Sequence, residues 1–112
     1  MQEGNPNVQH YEALLDAESL AGKGRIVEAK QKFELAIWVS TRGGCQHDAA
    51  LANERFGEFH MEVVKDKGDA AFYFQNAVKH WQEWGAVAKA EHLLEQYRGI
   101  LPNPSGMVIV SS

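Results

Sequence analysis

The chain holds one cysteine, Cys45, in 112 residues. An internal disulfide is therefore excluded, and a lone thiol fits a reducing compartment. There is no apolar run of about 18 residues, so nothing reads as a membrane span. Positive charge is in short supply: 11 Lys and Arg against 15 Asp and Glu leave a net charge of −4. A sequence-independent phosphate binder normally carries a basic patch, so nucleic acid and membranes are not expected as partners. The opening MQEGNPNVQH lacks the basic and apolar regions of a secretory signal, which makes the cytoplasm the expected location. Five histidines (His10, His47, His60, His80 and His92) form no His-Glu-x-x-His and no paired zinc spacing. Nor is there a Glu-x-x-His of the kind that carboxylate-bridged metal bundles use. No metal or other cofactor is expected, and no catalytic residue.

What is present is helical periodicity over most of one domain's length. Residues 1–7 read as a flexible polar leader with Asn7 as an N-cap. A first helix follows from Val8 to Ala21, with Val8, Tyr11, Leu14, Leu15 and Ala21 on one side. Gly22-Lys23-Gly24-Arg25 lacks the strand and full spacing of a phosphate loop and reads as a helix–helix turn. A second helix covers Arg25–Ser40 with Ile26, Ala29, Phe33, Ala36 and Ile37 inward, ending where polar Ser40 reaches that face. After the break Thr41–His47, Asp48 is expected to cap a third helix reaching Val64, its inner side Ala52, Phe56, Phe59, His60 and Val63. Lys65–Asp69 is a turn with Gly68 as cap and Asp69 as the next N-cap. A fourth helix spans Ala70–Glu83 over Ala70, Phe74, Ala77, Val78 and Trp81. A fifth spans Ala86–Arg98 over Val87, Ala90, Leu94 and Tyr97, stopped by Gly99 and Pro102. Residues 99–112 are expected to form a flexible tail. Its Met107–Val110 tetrad reads as an edge strand or as disordered chain, the latter being favoured at a terminus.

The second and fourth helices share a pattern. Ala29–Phe33–Ala36 and Ala70–Phe74–Ala77 have the same spacing, offset by 41 positions (70 − 29). This Ala-x3-Phe-x2-Ala pattern resembles the second helix of the tetratricopeptide repeat (TPR), across residues 8–98. Gly57 looks like the small residue of that family's first helix. Ala17 is its upstream counterpart, one position out of step with the offset. The period is longer than the family's usual length of about 34, and the first-helix tryptophan and closing proline are absent. DAALANERFGEFH and AAFYFQNAVKHWQEWGAVAKAEHLLEQY, with their Trp84-Gly85-Ala86 junction, further resemble the repeat region of large multidomain ATPase/histidine-kinase signalling proteins.

The resemblance implies an all-α fold of five antiparallel helices in a right-handed TPR-like helical-repeat stack, an α-solenoid fragment, with residues 8–98 as its domain. It implies a non-catalytic protein–protein interaction or scaffold module in signalling. The alternative is a cis-regulatory segment of a larger ATPase or kinase protein, without an independent partner. In that family the first helix of each pair lines the ligand groove, which places Tyr11, Leu14, Glu18, Leu51, Glu54, Glu58, Met61 and Glu62 toward a partner. Glu54, Glu58 and Glu62 recur every fourth residue on one helix face, and an acidic groove favours a basic protein or peptide. Self-association is a further way to cover an open end of so short an array. Cys45 and His47, two apart in a Gly-rich loop, could make an activated thiol, but no third orienting group is evident and the loop reading is preferred. His60 is expected in the core with one hydrogen bond. Trp81 is expected to be buried and Trp38 exposed.

Overall fold

The computed structural model describes residues 6–101, with side chains described from Glu12 onward. These residues form five α-helices and no strand. They are α1 (Pro6–Gly22), α2 (Ile26–Arg42), α3 (Gln46–Phe59), α4 (Lys67–Trp84) and α5 (Val87–Gln96); α3 runs on into a π-helical segment, His60–Val64. Proline suits the first helical position because its missing N–H would find no partner there. Pro6 accordingly starts α1, and Asn7, expected as the cap, lies inside the helix. The leader residues 1–5 and the Met107–Val110 tetrad lie outside the described residues.

Packing is mostly between helices adjacent in the chain, with a smaller contact of α1 on α3. Two apolar cores result. The first joins Ala13, Leu14 and Ala17 of α1, Ala29, Phe33 and Ala36 of α2, and Ala52, Phe56 and Phe59 of α3. Phe33 stacks on Phe56 with ring centroids 4.9 Å apart. The second gathers Ala70, Phe74, Ala77, Val78 and Trp81 of α4 around Ala50 of α3, Ala90 and Leu93 of α5, and Leu101. Both Ala–Phe–Ala sets are buried, one in each core. Leu101 belongs to the second core, so packed structure extends past residue 98 into the expected tail.

Several local expectations are corrected. Leu15, expected inward, is 64% exposed, and Val87 is 54% exposed while Leu93 takes its place inside. Ser40 does not end α2. It is buried, and its hydroxyl donates to the Ala36 carbonyl at 2.7 Å, so the polar group is satisfied and the helix continues to Arg42. Cys45 rather than Asp48 occupies the N-cap position of α3, and Asp48 falls in the first turn. At α4 the cap is Asp66, whose carboxylate accepts from the Asp69 N–H at 3.0 Å; Gly68 and Asp69 are already helical. Gly85, at φ +97°, closes α4 in the left-handed conformation that glycine adopts without steric cost. Trp81 is buried and Trp38 exposed, as expected.

The π-helical segment explains the residue out of step. Ala17 precedes Phe33 by 16 positions and Gly57 precedes Phe74 by 17. A π turn bonds i to i+5 and so holds one more residue than an α turn. Lys65 follows at φ 64°, and its N–H bonds back to the His60 carbonyl. Because the wider turn shifts the register, Val63 is 42% exposed rather than inward.

At Gly57 the Phe74 ring of α4 lies close over the α3 backbone. A β-carbon there would lie 2.8 Å from Cδ1 and Cε1 of Phe74. That ring cannot retreat easily, since Tyr97 stacks on it at 3.8 Å between centroids. Gly57→Ala should therefore destabilise the fold by about 1–3 kcal/mol through overpacking, despite alanine's better helix propensity. Gly22→Ala, where an added β-carbon would meet no other part of the fold within 4 Å, should instead hold or slightly raise the urea midpoint.

Candidate functional site

Burying opposite flanks of α3 in two cores leaves a third strip outward. That strip carries Leu51, Glu54, Arg55, Glu58 and Glu62, spaced so that they fall on one helix face. Its edges are tied down on both sides. Toward α1, the Arg55 guanidinium donates from Nη1 to Glu18 Oε2 at 2.6 Å. Toward α4, Glu54 Oε1 accepts from Trp81 Nε1 at 3.1 Å. Glu58 and Glu62 lie beside these two links and form no ion pair or hydrogen bond among the described residues.

The expected partner-binding residues thus divide. Glu18, Glu54, Glu58 and Glu62 do converge on the outward strip of α3 and its α1 margin. Leu51 and Met61 are half-buried, packed against the first and second core respectively. Leu14 is a correction: it is buried in the first core and offers nothing to a partner. Tyr11 lies in α1, but its side chain is outside the described residues. Arg55 and Tyr97 were missed. Arg55 sits beside Glu54 in the same Asn-Glu-Arg-Phe stretch, and reading its charge against Glu18 one helix away could have found it. Tyr97 reaches the strip only because α5 folds back.

Crowded carboxylates alter proton affinity. Burial pushes the Glu58 carboxyl above its ordinary 4.5, reinforced by Glu54, Glu62 and Glu18 and opposed by Arg55. Burial, then Glu58, Glu62 and Glu54, also raises the Tyr97 phenol. A cleft of about 150 Å³ opens between α1 and the α3–π segment, lined by Glu18, Ala21, Phe33, Arg55, Glu58, Phe59, Glu62 and Val63. A larger hollow of about 350 Å³, lined by Glu12, Ala13, Asp16, Lys32, Leu35 and Val39, lies between α1 and α2. Its Asp16 already has Lys32 4.0 Å away.

The other singled-out groups do not converge on this strip. Cys45 Sγ lies 3.8 Å from the Gly43 carbonyl. His47 makes edge-to-face ring contacts with Trp81 and Trp84, with Nδ1 3.5 Å from Asp48. His60 is buried as expected, but neither ring nitrogen finds the expected hydrogen bond. Its ring stacks on Tyr73 at 5.3 Å, and the nearest carboxylate oxygen, of Asp69, is 4.0 Å from Nδ1. Among the described residues no three of His, Cys, Asp or Glu are grouped to hold a metal ion, and no helix is long and apolar enough to cross a membrane.

Compared with known proteins, the chain matches no family model, no curated protein and no solved structure.

Burial holds His60 below its ordinary 6.5, only partly offset by Asp69. The unfolded chain therefore binds a proton near pH 6.5 that the folded chain resists. Stability is full above that pH and falls as pH drops toward the folded pKa. His80, also lowered by burial, adds a slope of the same sign. Glu58 acts oppositely: its raised pKa makes the folded state bind more protons just above pH 4.5, so its contribution improves as pH falls there. Urea midpoints between pH 7 and 5 should therefore decline less in His60→Leu than in wild type, with the His80 slope remaining. Glu58→Gln should gain stability at pH 7. An unchanged decline in His60→Leu would show that His60 takes up its proton freely in the fold.

Proposed function

We propose that this chain is a non-catalytic protein–protein interaction or scaffold module of TPR-like type, acting in signalling and binding a basic protein segment along the outward strip of α3. The observation that carries this reading is the pair Glu58 and Glu62. Among the described residues these carboxylates are unpaired, on α3 and the π segment that continues it, whose other two flanks are committed to cores. Unpaired acids held side by side repel, and the fold gains nothing from them. A cationic partner relieves that repulsion, and the Glu54–Trp81 hydrogen bond keeps that edge of the strip in place before it arrives. Burial of both Ala–Phe–Ala sets, one in each core, supports a repeated helix-pair architecture with first helices on the binding side.

A pull-down from cell extract with wild type beside Glu58→Lys/Glu62→Lys tests this, with light scattering and circular dichroism to show equal size and helicity. Glu54 is left intact because it holds Trp81. A partner retained by wild type should be lost from the double variant by roughly tenfold or more, and more weakly retained in high salt. Equal retention by both would rule the α3 strip out. If neither retains a partner, the binding-module reading fails and a segment acting only in cis takes its place.

A further inference from the structure

We propose that the cleft between α1 and α3 is a subsite for one arginine side chain of the partner segment, and that Arg55 is an internal competitor for its carboxylates. This rests on the binding reading above and goes further by naming the group recognised and what restrains its binding.

The cleft has two chemically distinct parts. Buried Phe33 and Phe59, with half-buried Ala21, supply its apolar inner part, while Glu18, Glu58 and Glu62 line it with Arg55 and exposed Val63 nearer solvent. A long side chain with an apolar stem and a cationic head matches that division, the stem on the inner part and the head at the rim. Arginine suits it better than lysine. Its planar fork can engage two carboxylates at once, and it is more weakly hydrated than an ammonium, which favours a half-buried rim. A neutral or acidic occupant would leave Glu58 and Glu62 uncompensated.

Arg55 already shows the chemistry. Its guanidinium reaches across from α3 to Glu18 on α1, at 2.6 Å. One guanidinium cannot serve three acids, and Glu58 and Glu62 remain unpaired among the described residues. Arg55 also sits beside the position that an incoming guanidinium would take. Its positive charge repels the newcomer and withholds Glu18 from it. Arg55 thus sets a threshold that a single stray cation does not cross easily.

The test is an NMR titration of the full chain with an acetylated, amidated Gly-Ser-Arg-Ser-Gly peptide, run beside the same peptide carrying neutral citrulline. With the arginine peptide, amide shifts should concentrate at Ala21, Glu58 and Val63, and the citrulline peptide should produce none. Glu58→Gln should bind at least about fivefold more weakly while keeping or raising its melting temperature, which separates a binding role from a structural one. Arg55→Gln should bind about threefold more tightly, the range expected on losing one exposed competing cation. Weaker binding by Arg55→Gln would overturn the competitor role. Shifts confined to Glu54 and Tyr97 would overturn the subsite while leaving the α3 strip as the binding face. Equal shifts with citrulline, or none with either peptide, would also overturn the subsite. Retention of the cellular partner by Glu58→Lys/Glu62→Lys is the separate result that removes the underlying reading.

Discussion

Two aromatic contacts on opposite flanks of α3 set the rest of this molecule. On one side Phe33 stacks against Phe56. On the other Phe74 lies over the bare backbone of Gly57, backed by Tyr97. Burying one such ring is worth about 2–3 kcal/mol, a large share of what holds a small domain together. Each ring is flanked by alanines that let the helices approach closely enough for it to reach. Because α3 contributes buried residues to both cores, its orientation must satisfy both at once. What remains is a narrow outward strip whose direction is determined by the two burials and not by anything on the strip itself.

That division explains why the acidic residues are concentrated where they are. A helix with two buried flanks has few outward positions, and here most of them carry carboxylates. The same geometry that orients Glu58 also half-buries it, so its charge is held at a disadvantage. Binding and stability therefore make opposite demands on this residue. His60 differs in kind: its nitrogens are buried among aromatic rings without a hydrogen bond among the described residues, in a segment that departs from α-helical bonding.

The class of fold and the locations of the helices were legible because Ala29–Phe33–Ala36 and Ala70–Phe74–Ala77 have unambiguous helical spacing and all six are buried. Where two apolar neighbours competed for one inward position, the pattern could not choose. Leu14 is inside and Leu15 outside, and in α5 Leu93 is buried while its neighbour Leu94, expected inward, is half-buried. Polar residues misled for a different reason. Ser40 looked like an end, but a hydroxyl can bond its own helix. Asp69 looked like a cap, while Asp66 three residues earlier caps it. The π turn appears in the sequence only as a spacing too long by one; its position depends on bonding that periodicity does not encode. Of the site, the glutamate ridge was legible from its every-fourth spacing. Arg55 and Tyr97 were not, because their relation to it arises from helices meeting in space.

Contacts in this chain fall almost entirely between helices that follow one another. The entropy lost in closing each contact is then that of a short loop, and topologies of this kind fold fast, on the microsecond-to-millisecond scale. Such a chain need not wait for distant segments to find each other. Each helix pair can begin to form as soon as its second helix exists, and the docking that joins the two halves comes when α3 has neighbours on both sides.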